Sequence, residues 1–266
     1  MQYAIKHEYT DEQLIQRVTD VLEIRNVMGM HSYYHAKGMH QQELKEIWVQ
    51  KPENQATASF GQNWGYNVGM ERIDAYYGKG SVENFQKDLE ALAAADSSVE
   101  VKAENLGMGS LVIHALTAPY IEVAGDGKTA QGLWYTPGAV GGAHPDGANG
   151  MVMYEKYGVD FIKEDGEWKI WHLFVGTDFS APAGKNLSGL TQLEKERRLA
   201  AGEADPEPAP PSMMAMPDDP AFIPMDAYSI KYNYSFYPPL PEPYYSFDEC
   251  ISNGPEGNPN FKKEGK

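Results

Sequence analysis

The spacing of the apolar residues changes from helical to alternating near residue 110, and this change constrains the fold most strongly. Upstream, four segments have helical spacing: residues 10–38, 41–49, 70–77 and 81–95. Thr10 and Gln13 form a capping box at the start of the first segment, and Ser81 is the predicted N-cap of the last. Glycines mixed with aromatic residues at 60–66 favour a strand or loop.

Downstream of residue 110 the pattern is typical of β-strands. Apolar and polar residues alternate in five segments: 110–116, 120–123, 129–136, 151–163 and 167–177. Turns are predicted at 125–127 and 164–166, and a glycine-rich loop at 137–150. Helices followed by a strand meander predict an α+β fold.

The composition changes again after residue 183. We therefore expect one α+β domain over 1–183 and a C-terminal extension over 184–266. The extension contains a predicted helix at 190–201, a proline-rich linker at 206–211 and a long tyrosine-rich stretch. That stretch is too apolar for a solvated tail, so it should pack against the core or a neighbouring subunit.

Charge and cysteine content exclude several classes of function. The formal charge of −16 and the lack of a basic cluster argue against partners among nucleic acids and acidic membranes. Cys250 is the single cysteine, and no paired Cys/His spacing indicates a metal site. Residues 1–20 hold no continuous apolar run, so we expect no signal peptide or membrane helix and a cytoplasmic location.

Two stretches carry a family resemblance. Residues 116–130, LTAPYIEVAGDGKTA, resemble the central hairpin of SnoaL-like proteins, and residues 165–170, DGEWKI, resemble their final strand. The resemblance covers roughly residues 10 to 178 and places the chain in the superfamily named after nuclear transport factor two. It implies a cone-shaped, curved antiparallel sheet, a half barrel, wrapped around N-terminal helices.

The resemblance also implies a function. Such proteins include scytalone dehydratase, polyketide cyclases and a diarylpropane lyase, and most use no metal or organic cofactor. Their shared feature is a deep pocket in which His, Tyr, Asp or Lys side chains move protons on a hydroxylated, ring-bearing substrate. The sequence departs from many dehydratases at two places: Ala36 and Lys37 stand where an acid is usual, and Ala118 stands for an asparagine.

The candidate catalytic residues come from the first helix and the sheet. His114 shares a strand face with Val112 and Leu116, and it matches the histidine of related dehydratases. Tyr34 resembles the first-helix tyrosine of the family and is flanked by His35, a further catalytic candidate, and by Tyr33, a candidate substrate contact. Consecutive helical residues diverge by about 100 degrees, so at most two of these three reach one pocket. The alternative for each is ordinary core packing.

Lys156 is the fourth catalytic candidate, with Tyr154 and Asp160 on the same strand face as substrate contacts. The alternatives for Lys156 are a solvated side chain or a structural ion pair with Asp160. His172 is expected to share a face with Trp168, Ile170 and Phe174, near the pocket.

Aromatic side chains complete the predicted site. Trp64 and Trp134 are candidate walls on which a substrate ring stacks, although such residues are more often simple core. No phosphate-binding loop, dinucleotide fingerprint or nucleophile elbow is present.

Three hypotheses follow. The first is a cofactor-independent lyase that removes water or a small carbonyl fragment from a hydroxylated aromatic or polycyclic molecule, in a homo-oligomer, a dimer or trimer. The second is a non-catalytic carrier or sensor with the same pocket, and the third is an assembly module. Polar groups converging on one cavity would favour the first.

Overall fold

A computed structural model describes residues 8–144, 147–182, 219–220 and 237–259. The helices are α1 (Asp11–Ala36), α2 (His40–Glu46), α3 (Pro52–Gln55), α4 (Met70–Ile73) and α5 (Gly80–Ala95), with a π-helical turn (Asp74–Lys79) between α4 and α5. The strands are β1 (Ser59–Gln62), β2 (Gly65–Val68), β3 (Ser110–His114), β4 (Tyr120–Val123), β5 (Thr129–His144), β6 (Gly147–Glu164), β7 (Glu167–Pro182) and β8 (Asp219–Pro220). Short 3-10 turns cover Ala103–Asn105 and Phe247–Glu249.

The eight strands of the described residues form one sheet in the order β3-β5-β6-β7-β1-β2-β8, with β4 also paired to β5. Every strand pair is antiparallel except β1 with β7. The sheet is curved and unclosed, and the N-terminal helices lie against it. The predicted α+β cone is therefore confirmed.

Helix α1 begins as the sequence predicts. The Thr10 amide donates to Gln13 Oε1 at 2.9 Å, and the Gln13 amide donates to Thr10 Oγ1 at 3.3 Å, which completes the capping box. The buried face of α1 is formed by Asp20, Ile24, Val27, Met28 and His31. The apolar residues of its first turns are instead exposed: Leu14, Ile15, Val18 and Leu22.

The core lies between α1 and the inner face of the sheet. On β6 this face is formed by Tyr157, Val159 and Phe161, which belong to the same buried cluster as Ile24 and Met28 of α1. Because strand side chains alternate, the neighbouring residues of β6 face outward. The inner face therefore defines which strand residues can reach the inside of the cone.

Two local expectations are wrong. The predicted loop at 137–150 is the far half of a long hairpin, in which β5 and β6 pair from Thr129 with Ile162 to His144 with Gly147. Glycine at 138 permits the close approach of β3 to β5, because an added Cβ would lie 2.5 Å from the Ile113 carbonyl oxygen of β3. Ser81 is not an N-cap, because α5 continues directly from the π-helical turn and has no side-chain cap.

A β-bulge in β7 changes which of its residues face the inside of the cone. Asp160 of β6 pairs with His172 of β7, whereas the next residue, Phe161, pairs with Ile170. Trp171 is therefore one extra residue in β7 between these two pairs. Trp168 and Ile170 consequently face the inner core, and His172 lies on the outer face with Asp160. The expected shared face of Trp168, Ile170, His172 and Phe174 is wrong for this reason.

The C-terminal segment 237–259 covers part of the outer face. Tyr237 and Tyr244 are buried, and Tyr237 packs on Phe174 with ring centroids 4.9 Å apart. The chain approaches β6 so closely that a Cβ at Gly158 would lie 2.4 Å from Pro238. The predicted helix at 190–201, the proline-rich linker and the stretch 221–236 lie outside the described residues.

Candidate functional site

Four histidines meet inside the cone. His31 and His35 stand one helical turn apart on α1 and therefore share a face. The ring of His35 lies 5.0 Å from the ring of His114 on β3, 5.0 Å from that of His40 on α2 and 5.8 Å from that of His31. We call these four residues the histidine cluster.

His114 is paired with a carboxylate from the sheet. Val112 and His114 are buried while Leu111 and Ile113 are exposed, so β3 turns His114 inward. Its Nδ1 lies 2.8 Å from Glu155 Oε2, at ion-pair distance but without the alignment of a hydrogen bond. Thr177 Oγ1 donates to the other oxygen, Glu155 Oε1, at 2.8 Å. An imidazole beside a fixed carboxylate is suited to accept and return a proton.

A second carboxylate, Glu43 of α2, is fully buried and accepts three hydrogen bonds. His31 Nδ1 and Trp48 Nε1 donate to Oε1 at 2.8 and 3.0 Å, and the Tyr77 hydroxyl donates to Oε2 at 2.8 Å. Burial raises the pKa of Glu43, but the charge and hydrogen bond of His31, with further help from His40 and Trp48, outweigh it. The net pKa is lowered, so Glu43 is ionised at neutral pH.

His35 and His40 are held neutral. His35 Nδ1 lies 2.9 Å from His40 Nε2 and 3.1 Å from the Tyr77 hydroxyl. Burial lowers the pKa of His35 well below its usual value, and repulsion from His40, His114 and His31 adds to this. Burial also lowers the pKa of His40 to about 4. Within the histidine cluster, His35 and His40 therefore resist protonation, whereas His114 lies beside the carboxylate of Glu155.

These shifts predict acid sensitivity. Below the ordinary histidine pKa of 6.5 the unfolded chain takes up protons at His40, while the folded chain does so only near pH 4. The free energy of unfolding should therefore fall as the pH drops through this window, with His35 adding to the loss. Urea titrations at about pH 7 and about pH 5 measure the change. The His40→Gln variant should show a smaller decrease, and an equal decrease in both proteins would contradict the assignment.

Tyr34, the predicted partner of His35, points elsewhere. Its hydroxyl donates to the carboxylate of Glu46 at the end of α2, and this hydrogen bond raises its pKa. Tyr34 and Tyr33 line an open surface depression of about 480 Å³, and Tyr33 is exposed. The structure therefore brings His35 and His114 together but not Tyr34 or Tyr33.

Lys156 lies on the outer face of β6, opposite to its neighbours Glu155 and Tyr157. Its Nζ is buried 3.1 Å from Asp178 Oδ1, at a second bulge of β7. Tyr154 is on the same side and exposed. The sheet separates these side chains from the histidine cluster.

Asp160 and His172 form a buried pair under the C-terminal segment. Asp160 Oδ2 accepts from His172 Nδ1 at 2.8 Å and from Ser252 Oγ at 3.0 Å. Both residues are almost inaccessible to solvent. Their contacts attach residues 252–253 to the sheet and do not face the cluster.

The two predicted aromatic walls have different positions. Trp134 is buried on the inner face opposite Tyr157, and the Tyr157 ring lies 5.6 Å from the His31 ring. Trp64 is half-buried after β1 and donates to the Tyr76 hydroxyl at 3.1 Å. The Trp134 ring packs with Phe161 in the core, their centroids 6.1 Å apart, and Trp64 belongs to the β1–β2 end of the sheet.

Sequence reasoning missed five residues of the site: His31, His40, Glu43, Tyr77 and Glu155. One signal was available, because His31 and His35 have the i, i+4 spacing of a single helix face. Glu155 alternates with Tyr157 and Val159 along β6, but only the strand pairing shows that it meets His114.

The fold and this interior acid–base cluster define a cone protein built around a polar centre. The model of the SnoaL-like domain matches residues 16–173, more than half of the chain. The chain therefore belongs to the SnoaL-like family. No match was found among curated proteins.

The chain also matches solved structures at low sequence identity. A putative scytalone dehydratase from Novosphingobium aromaticivorans is 12% identical, with 64% of this chain and 97% of that chain covered and a TM-score of 0.42. The hexachlorocyclohexane dehydrochlorinase LinA-type3 from Novosphingobium barchaimii is 17% identical, with 67% and 98% covered and a TM-score of 0.42. A nuclear transport factor 2-like protein from Salmonella enterica is 16% identical, with 64% and 99% covered and a TM-score of 0.42.

Within the described part of the chain, no group of three or more His, Cys, Asp or Glu side chains is arranged to hold a metal ion. None of its helices combines the length and the apolar character needed to span a bilayer.

Proposed function

We propose that this protein is a cofactor-independent lyase that acts on a hydroxylated, ring-bearing small molecule. The observation that carries the proposal is the close contact of His114 Nδ1 with Glu155 Oε2, 2.8 Å apart, beside the neutral His35 inside the cone. Neighbouring groups whose environments differ in this way are suited to acid–base chemistry. Polar side chains from α1, α2, β3 and β6 converge there, which favours catalysis over an apolar carrier pocket.

The proposed reaction begins with His114 taking the proton of a substrate hydroxyl. Glu155 stabilises the resulting imidazolium and keeps the ring in place. In a retro-aldol elimination, the oxygen forms a carbonyl as the adjacent carbon–carbon bond breaks, and the electron pair stays on the ring-bearing fragment. That fragment then regains a proton from His114, and the small carbonyl compound leaves.

In a dehydration, His114 would remove a proton from carbon and return it to the departing hydroxyl, so that water leaves and a double bond forms. Both reactions need one group that accepts and donates the same proton. Tyr157 provides an aromatic ring next to the cluster, which suits a ring-bearing substrate.

Screening the purified protein against hydroxylated phenolic and alicyclic compounds tests the proposal. Mass spectrometry of each reaction should show a product lighter by water or by a small carbonyl compound. The wild-type protein should form it, and Glu155→Gln, which removes the charge but keeps an oxygen for Thr177, should form it much more slowly. Binding without turnover across the panel would instead indicate a carrier.

A further inference from the structure

The hydrogen bonds around Tyr77 fix the position of its single proton. Glu43 is ionised and its Oε2 lies 2.8 Å from the Tyr77 hydroxyl. An ionised carboxylate only accepts, so the Tyr77 hydrogen is donated to Glu43. The Tyr77 oxygen has no second hydrogen, and it can only accept from its other neighbour, His35 Nδ1 at 3.1 Å.

The same constraint determines the tautomer of His35. If His35 Nδ1 carried a lone pair, two acceptors would face each other at 3.1 Å. A proton on His35 Nδ1 instead satisfies both Tyr77 and His40 Nε2, which lies 2.9 Å away. Since the pKa of His35 is lowered by burial and by its histidine neighbours, its second nitrogen, Nε2, remains unprotonated.

An unusual backbone element places Tyr77 at this point. It lies in the π-helical turn Asp74–Lys79, and such turns occur frequently at functional sites. The turn packs directly on α2, because a Cβ at Gly78 would lie 2.5 Å from Gln41 Nε2 and 2.8 Å from Leu44 Cδ1. Helix α2 also carries His40 and Glu43, so this contact places Tyr77 beside both residues.

We propose that Tyr77 is a positioning residue: backed by Glu43, it holds the proton of His35 on Nδ1 so that Nε2 accepts a hydrogen bond from a second donor group of the substrate, not from the hydroxyl that His114 deprotonates. This role for Nε2 rests on the proposed function, in which His114 exchanges the proton. His35 then orients the substrate through this second donor and does not compete with His114 for the reacting proton. Two adjacent histidines thereby take different roles.

Nitrogen-15 NMR of the histidine rings tests the tautomer directly and needs no substrate. Long-range proton–nitrogen spectra of labelled protein at neutral pH, with His35 assigned through a His35→Gln variant, distinguish protonated from unprotonated ring nitrogens. The wild-type protein should show the proton on Nδ1. In Tyr77→Phe, which keeps the ring and removes the oxygen, the Nδ1 pattern should be lost or mixed.

Tyr135→Phe is the matched control, because Tyr135 is exposed on the outer face of the sheet and should leave the His35 signals unchanged. A wild-type proton on Nε2 would overturn the proposal, even if Tyr77→Phe failed to fold. An unchanged His35 pattern in folded Tyr77→Phe would overturn it as well. With a substrate in hand, Tyr77→Phe should lower kcat more than it raises KM. Failure of the lyase assay would leave the NMR result standing, so the two proposals fail separately.

Discussion

Replacing His114 with glutamine is expected to lower kcat/KM by about 10²- to 10⁴-fold, the range that a positioned acid–base group contributes. Glutamine is polar and of similar size, so it keeps the inner face of β3 filled while removing the group that exchanges a proton. The measurement is initial rates of wild type and variant on a substrate found by the screen.

Retention of fold is checked on the same samples by circular dichroism and urea unfolding. A folded His114→Gln protein with wild-type kcat/KM would remove His114 from the reaction. Tyr34→Phe is a useful comparison, because the structure directs Tyr34 to Glu46 and away from the cluster, and its rates should stay close to those of wild type.

Replacing Asp160 with asparagine is expected to lower the free energy of unfolding by about 3–5 kcal/mol, the loss typical of breaking a buried charge network. Asp160 is fully buried, and besides His172 and Ser252 it accepts from Gln131 Nε2 at 2.8 Å and from the Asn253 amide and side chain at 2.8 and 2.7 Å. An asparagine amide would place donor against donor. Urea unfolding at neutral pH measures the loss.

Asp165→Asn is the matched control, because Asp165 is 84% exposed and pairs with Lys51 at the surface. Such an exposed pair contributes little to stability, and asparagine tolerates the φ of 51° at this position. Since Asp160 lies outside the cone, kcat of the folded Asp160→Asn protein should change little. An Asp160→Asn protein as stable as Asp165→Asn would contradict the structural role assigned to this residue.

Local sequence signals predicted a large part of the fold. The capping box at Thr10 and the Asp165–Gly166 turn follow from backbone chemistry that a few residues determine, and both are present. Alternation along β3 likewise indicated that His114 shares the buried face of Val112. Such features depend on neighbours in sequence, so the sequence alone reveals them.

Features that depend on distant contacts escaped prediction. The residues around Trp171 give no sequence signal for a bulge, yet the one extra residue there moves His172 to the other face of the sheet. Glu155 meets His114 only because β3 and β6 pair with opposite edges of β5. The tyrosine that approaches His35 is Tyr77, delivered by a π-helical turn, whereas the adjacent Tyr34 diverges along α1.

The central claim is that His114 and Glu155 act as one proton-transfer unit, and a double-mutant cycle tests it most directly. kcat/KM is measured for wild type, His114→Gln, Glu155→Gln and the double variant on one substrate. We predict that the double variant loses about as much activity as His114→Gln alone, because residues that work as a unit are strongly non-additive. If the two separate losses multiply in the double variant, the residues act independently and the account is wrong.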